Sequence, residues 1–532
     1  MYDTIGKDSI EYIVDQTEIE TLACTEDKIE NLIKLKNDNK AKSLKNIISL
    51  CKVEDDTKSK CEEADLKLYY IFDLAKEGED LDSELEDPKP DDLYTICYTS
   101  GTTGDPKGVL ITHKNMCSTI GGVYRYGVKI NQSDVHLSFL PLAHVFERLF
   151  YIVLLNFGGK VGYISGSIKN IKEDLAALRP TIFPAVPRLL NKFYEKMQDT
   201  INEQGLFKRI VVNWALYNKM RRLDGSGNFN HMVYDKYVME SFREVLGGRV
   251  RMIITGSAPI SQDVIKFLKA AFSCELYEAY GQTETGGASF ATDPNDPELG
   301  HVGGPGPHNE FKLVDCKDMG YTSQDTVNGV KQPRGELCVR GPSVFKGYFK
   351  MAEKTKETID EDGWVHSGDI AAILPSGAIK IIDRKKNLFK LNQGEYIAAE
   401  KLESKYGDID VIDQIFIYGD SLQSYLVAII VPNKKSAENI ADSEGIEEEK
   451  FDDIINSEKF HEYLIKQMKE IKESEGFNSY EVPHRVFCTS EEFSEDNGLM
   501  TPTHKIKRNE VKKEFIEKIK DMYDGAKLQS EE

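Results

Sequence analysis

Apolar positions along this chain follow two rhythms, and the switches between them predict its elements. LKNIISL (44–50) and LKLYYIF (66–72) are short apolar runs that predict strands. TEDKIENLIKLK (25–36) spaces its apolar residues as a helix, with a threonine at the cap and acids in the first turn. The acidic, proline-bearing stretch 77–92 predicts a surface connector. From Leu93 a strand–loop–helix rhythm sets in, with candidate buried strands at 93–98, 135–140, 161–164, 181–183, 251–254 and 274–278. Between the last two, Val264, Phe267, Leu268, Ala271 and Phe272 form the stripe of a helix over 262–272. Residues 300–307 (GHVGGPGP) predict a loop, and further strands are expected at 336–340 and 378–382. A hairpin is expected from 414–418 and 425–431. A final helix is expected at 512–523, with Phe515, Ile516, Ile519 and Tyr523 on one face. The alternation predicts an α/β fold, helix-covered sheets whose ligands gather beyond the carboxyl ends of the strands.

Length and composition narrow the class. A chain of 532 residues exceeds one core, so more than one domain is expected, with a boundary near 383–386, where DRKK follows an apolar strand. Lys plus Arg number 68 and Asp plus Glu 89, a net charge of −21, which argues against a nucleic-acid partner. The nine cysteines form no CxxC pair, so reduced thiols in a cytoplasmic setting are expected. No apolar run is long enough for a membrane helix, and the start resembles no signal peptide.

Chemistry concentrates in a few stretches. YTSGTTGDPKG (98–108) holds four Ser/Thr hydroxyls, three glycines and one lysine. Its glycines allow backbone N–H groups to converge on an anion, Ser100, Thr102 and Thr103 add donors, and Lys107 adds charge. It is not a Walker A loop, and taken alone a Gly-rich surface turn would be the simpler reading. Tyr280 offers a ring for stacking or for the core; Glu284 is a hard ligand for Mg²⁺ or a solvated surface acid. Asp369 suits a pair of ribose hydroxyls or a Gly-Asp turn, and Arg384 a ribose or a structural ion pair. Lys505 is one charge of the run KIKR, and His144 sits in a segment where a packed histidine is the commoner case.

Taken together and in order, these stretches resemble the adenylate-forming superfamily. YTSGTTGDPKGV, GSAPIS (256–261), YEAYGQTE (277–284), GELCVRGP (335–342), WVHSGDI (364–370), DRKKNLFKLNQGEYIAAEKLE (383–403) and TPTHKIKR (501–508) each match one of its motifs. YDTIGKDSIEYI (2–13) and LPLAHVFER (140–148) are similar to eukaryotic long-chain fatty acyl-CoA synthetases. The resemblance spans nearly the whole chain. Relative to that family, the large domain is expected to be incomplete at its N-terminus, since the family carries a substantial stretch before the YDTIG segment.

The resemblance implies a large AMP-binding domain over 1–384 and a small mobile α+β domain over 385–532, hinged at Lys385 and Lys386. It implies ATP, a fatty acid and CoA as substrates, with Mg²⁺ held by Glu284 and Thr99. ATP contacts are implied for Thr99, Ser100, Gly101, Thr102, Thr103, Gly104 and Lys107 in the loop, and for Gly256, Ser257, Ala258 and Pro259. Glu278, Ala279, Tyr280, Gly281, Gln282, Thr283, Asp369, Ile381 and Arg384 complete that set. Lys505, Glu284, Thr103 and Lys107 are the implied catalytic residues, and His144 is assigned to the acyl pocket. Two other readings stay open at this stage: a non-catalytic protein binding ATP or acyl ligands, and an adenylating enzyme with another acid or acceptor. The family also leaves room for peripheral contact with an ER, mitochondrial or peroxisomal membrane. Acyl chain length and oligomeric state have no signal here.

Overall fold

A computed structural model describes residues 7–79, 81, 84–99, 106–327, 329–385, 388–391, 396–420, 422–448, 450–501 and 505–524. The chain divides into two compact units, residues 1–113 with 347–352, and residues 114–346 with 353–532.

In the first unit, strands Thr21–Cys24, Asn46–Ser49 and Lys67–Tyr70 form a parallel sheet in that order. Parallel neighbours require crossovers, and helices Glu26–Asn37 and Asp55–Glu63 supply them. Ile29, Leu32 and Leu35 of the first helix pack with Leu44, Ile47 and Leu66 in one core. Thr25 stands at the cap, as expected, but its hydroxyl bonds Asp27 at 2.5 Å and makes no capping bond. The strand expected to run to residue 72 ends at Tyr70, and Ile71 opens helix Ile71–Glu79 instead. Ile71, Leu74 and Ala75 share a helical face, although no residue of this helix is buried. The strand at the start of the Gly-rich loop also differs from expectation. Leu93–Thr99 pairs antiparallel with Lys107–Thr112 in a two-stranded ribbon, and its first residues, Leu93 and Tyr94, are exposed. The Gly-rich loop therefore joins two strands rather than a strand and a helix.

The second unit carries the main sheet. Five strands, Glu275–Tyr280, Met252–Gly256, Ile182–Ala185, Val135–Ser138 and Lys160–Tyr163, run parallel in that order. Two short antiparallel strands, Phe290–Ala291 and Gly304–Pro305, extend its edge. Every residue of 135–138, 182–185 and 252–256 is buried, the signature of strands covered on both faces. Helix Gln262–Phe272 matches its expected span and gives Val264, Phe267, Leu268 and Phe272 to the core.

A second sheet is antiparallel, in the order Glu310–Val314, Arg334–Arg340, Val365–Ile373, Ile379–Arg384. The third of these passes straight through SGDI, where polar residues and a glycine at φ +70° mask a strand in the sequence. The last sheet holds the expected hairpin, Ile412–Tyr418 with Leu426–Pro432, and adds Pro483–Cys488 parallel to its second strand. Its residues alternate between two cores: Ile415, Ile417, Ala428 and Ile430 face one, Phe416, Tyr418, Val427 and Ile429 the other. The single helix expected at 512–523 is instead two, Arg508–Glu514 and Ile516–Met522, broken at Phe515. Phe515 packs against Phe493 and Phe487, with ring centres 5.9 and 6.2 Å away. None of the nine cysteines, all among the described residues, is in a disulfide. Among the described residues, no helix is long and apolar enough to cross a membrane.

Candidate active site

Two adjacent parallel strands deliver the first half of the site. Met252–Gly256 and Glu275–Tyr280 pair with Gly256 opposite Ala279, so GSAP and YEAYGQ emerge at one rim, at the strands' carboxyl ends. The contact is tight: a Cβ on Gly256 would lie 2.5 Å from the Ala279 carbonyl oxygen, and one on Gly281 2.4 Å from that of Gly287. Ser257 adopts φ +72°, a left-handed backbone uncommon outside glycine and costly to hold.

The antiparallel sheet delivers the second half. Its register sets Asp369 directly across from Arg384, a bulge following at Ile370/Ala371. The Arg384 Nε lies 3.7 Å from Asp369 Oδ1. Asp369 Oδ2 accepts bonds from the Tyr280 hydroxyl at 2.5 Å and from Gln282 Nε2 at 2.8 Å. Gln282 Nε2 also donates to the Ser367 carbonyl at 2.8 Å. Thus two motifs nearly ninety residues apart (|i−j| = 89 for Tyr280 and Asp369) are knotted around one carboxylate. Asp369 is 4% exposed; burial raises its pKa, while the Arg384 guanidinium and the Tyr280 bond hold the anion against that cost. Tyr280 and Ile381 rest on an apolar floor of Phe290, Leu337, Val339, Ala371 and Ile379.

These residues border one cavity of about 760 Å³. Gly256, Ser257, Ala258, Pro259, Glu278, Ala279, Tyr280, Gly281, Gln282, Asp369, Ile381, Arg384 and Lys505 all line it. Burial pushes the Glu278 carboxyl up to about 8, against a bond from the Gly300 N–H and the pull of Lys269. Lys505 is tied to Thr501: its N–H donates to Thr501 Oγ1 at 3.0 Å and its carbonyl accepts from Thr501 N–H at 2.8 Å. Burial and the Arg384 guanidinium push its ammonium down to about 8, with Glu400 and Asp369 opposing them. His144 caps helix Val145–Asn156, its Nδ1 accepting from Phe146 N–H at 3.1 Å. Burial, with the Lys505 charge second, pushes its imidazole down to about 4, so it is neutral at physiological pH.

Other expected residues lie elsewhere. Thr283 and Glu284 form the turn after the cavity rim; the Glu284 carbonyl accepts from Phe345 N–H at 2.9 Å. His144 does not line the cavity. Thr99 and Lys107 belong to the first unit, where they face each other across the ribbon; the Lys107 ammonium lies 5.1 Å from the Tyr348 ring centre. Ser100, Gly101, Thr102, Thr103 and Gly104 fall outside the described residues, as does Lys386. Lys385 donates its N–H to Gly368 O at 2.7 Å, and its ammonium lies 3.5 Å from Glu336.

The cavity has further walls that sequence reasoning missed. Arg188 and Glu195 come from helix Pro187–Asn202, and Glu400, Glu403, Asp413 and Arg508 come from the C-terminal part. Arg508 clasps Glu403 through two bonds of 2.6 and 2.7 Å and bonds the Ile417 carbonyl at 2.6 Å. Asp383 accepts from the Glu400 N–H at 3.0 Å, and burial with the Glu400 charge pushes its carboxyl up to about 8. Glu403 and Arg508 stood inside quoted motifs; nothing local marked Arg188 or Asp413.

Known proteins bear out the class that this fold and cavity define. A family model described as AMP-binding enzyme matches residues 1–349. The adenylation domain of a carboxylate reductase from Mycobacterium chelonae superposes with a TM-score of 0.80 at 25% identity, over 98% of this chain and 76% of that one. The A domain of the carboxylic acid reductase from Segniliparus rugosus, solved with AMP and a co-purified carboxylic acid, gives 0.77 at 25% identity over 98% and 78%. In sequence, the chain is 39% identical to long-chain-fatty-acid–CoA ligase 5 of Rattus norvegicus over 529 residues, 99% of this chain and 76% of the relative. The chain belongs to the long-chain fatty acid–CoA ligase family of AMP-binding enzymes.

Proposed function

We propose that the chain is an ATP-dependent acid–thiol ligase that activates a long-chain fatty acid to acyl-AMP, releasing pyrophosphate, and then passes the acyl group to CoA. The observation that carries this reading is the convergence of Ser257, Tyr280, Asp369, Arg384 and Lys505 on one cavity. Ser257–Pro259, Tyr280 and Ile381 form the side for adenine. Asp369 receives the ribose hydroxyls, with Arg384 beside it, in place of its present bonds to Tyr280 and Gln282.

Adenylation drives a carboxylate against a phosphate, so positioning and charge neutralisation dominate its catalysis. Lys505 supplies the cation between the two anions. Lys107 and the Gly-rich loop take the phosphates that leave as pyrophosphate. Glu284 is a single hard carboxylate, and among the described residues no group of three or more His, Cys, Asp or Glu is placed to hold a metal ion. That donor set fits a Mg²⁺ arriving with the nucleotide's phosphates, with Glu284 to hold it, rather than a protein cage. When bound, the ion neutralises phosphate charge. Transfer to CoA needs no strong base, because a thiol of pKa about 8.5 is already partly ionised at neutral pH.

The small domain, 385–532, is taken to turn about Lys385 and Lys386 between the two steps, withdrawing Lys505. Two features support this: Lys505 reaches the cavity from the C-terminal part, and Asp383 at the junction is bonded to Glu400 beyond it. Fatty-acid-dependent ATP–pyrophosphate exchange, measured with and without CoA and against aromatic acids, tests the whole reading. Exchange with long-chain acids plus CoA-dependent thioester is expected. Exchange confined to aromatic acids, or none with any acid, would overturn it.

A further inference from the structure

Helix Leu206–Ser226 carries two apolar stripes where packing needs one. The inner stripe is accounted for: Ala215, Leu216 and Leu223 are buried, and Lys219 beside them gives its ammonium to Asp235 and, at 2.6 Å, to Ser273. The outer stripe is Leu206, Phe207, Ile210, Val211, Trp214 and Tyr217, which at about 100° per residue fall within an arc of about 140°. Each is more than a third exposed, Phe207 at 80% and Trp214 at 60%. A neighbouring helix, Met232–Tyr237, widens the face. Trp214 meets Tyr234 edge-on, with ring centres 5.7 Å apart, and Met232, Val233 and Tyr237 stand exposed around it. Folding leaves this surface in water, and a contiguous apolar patch of that kind marks a contact site.

The charge pattern says what the site contacts. Residues 204–223 contain no acid and five bases, Lys208, Arg209, Lys219, Arg221 and Arg222, in a chain of net charge −21. Lys219 is spent inside; Lys208, Arg221 and Arg222 are exposed and Arg209 half-buried, and of these Arg221 falls within the stripe's own arc with Arg222 at its edge. A convex helix surface offers no groove to key a side chain. Indole and phenol rings interleaved with bases are instead what the headgroup layer of an anionic bilayer accepts. We infer that this face seats the chain on an anionic membrane surface, with Phe207, Ile210 and Trp214 in the headgroup layer and Arg221 and Arg222 against lipid phosphates. The inference is independent of the reaction assigned above. If both hold, the chain draws its fatty acid from the bilayer in which that acid dissolves.

The test uses the full chain and vesicles of phosphatidylcholine, alone or mixed with phosphatidylserine. The chain has two tryptophans, so Trp364→Phe leaves Trp214 as the sole indole. With mixed vesicles the chain is expected to co-sediment, and Trp214 emission to shift to the blue and be quenched by brominated lipid. Phe207→Glu with Ile210→Glu should lower the partition coefficient by more than about tenfold. Arg221→Glu with Arg222→Glu should abolish the preference for phosphatidylserine. Both double variants should keep the thermal midpoint and the turnover of a short, soluble acid. Failure of the parent chain to bind either vesicle overturns the inference, as does unchanged binding by the Phe207/Ile210 variant. A dimer that dissociates in that variant, with no vesicle binding by the parent, would assign the face to a second copy and equally overturn it.

Discussion

Lys505 offers the sharpest test, because its environment sets both a magnitude and a pH. In the proposed mechanism the group works as an ammonium. Burial and Arg384 lower its pKa to about 8, so it is charged below that pH and neutral above it. At pH 7 roughly nine in ten molecules carry the charge, at pH 8 about half, and at pH 9 about one in ten. Acyl-AMP formation should therefore decline through pH 8 and fall about tenfold per unit beyond it, more than two units before an ordinary lysine would titrate. Removing the charge costs more. At contact distance and an effective dielectric near 20 the attraction is about 4 kcal/mol, and half of that remains a conservative figure. Lys505→Ala should then slow adenylation by roughly thirty- to a thousandfold. Pyrophosphate exchange reads this step, and single-turnover thioester formation from supplied acyl-AMP reads the other, which should be largely spared. Lys505→Arg supplies the control. Its guanidinium stays charged, so the alkaline limb should move out of range, whereas a limb arising from Glu278 or Asp383, both near 8, would remain. Equal loss of both steps in Lys505→Ala, or an unchanged limb in Lys505→Arg, would refute the reasoning.

Three other outcomes follow from the same geometry. Asp369→Asn removes the charge-assisted bonds proposed to the ribose hydroxyls, worth about 1.5–3 kcal/mol, so KM for ATP should rise by roughly one to two orders of magnitude while KM for CoA holds; steady-state kinetics reads both. Gly256→Ala forces a methyl to 2.5 Å from the Ala279 carbonyl and should cost about 1–3 kcal/mol, seen as a lower denaturant midpoint along with weaker ATP binding. Arg508→Ala strands the Glu403 carboxylate, 12% exposed, and should destabilise the fold by about 3–5 kcal/mol; Arg508→Met with Glu403→Met should recover most of it, a cycle read by equilibrium unfolding.

The identity of the chemistry was carried by local residues. A strand's burial and a helix's stripe are written in runs a few residues long, so 252–256, 275–280 and 262–272 emerged at nearly their true bounds. Where two rhythms overlapped, the local pattern failed: Ile71 and Phe72 look like strand but open a helix in which Ile71 shares a face with Leu74 and Ala75, and the strand through SGDI is hidden by its polar residues. The break at Phe515 had no signal in the local pattern; there the ring packs against Phe487 and Phe493, which lie outside both helices.

The site shows the same division. Sequence alone named the candidate side chains for phosphate, ribose and metal, because each motif is contiguous and its chemistry is intrinsic to the residue types. Only the tertiary structure decided that Asp369 lies across from Arg384, since register is a relation between strands and not a property of either. It alone brought Arg188, Asp413 and Arg508 to the same cavity. It also turned Lys505 from one cation in a polar run into an ammonium near pKa 8, because burial and a neighbouring guanidinium exist only once the chain has folded.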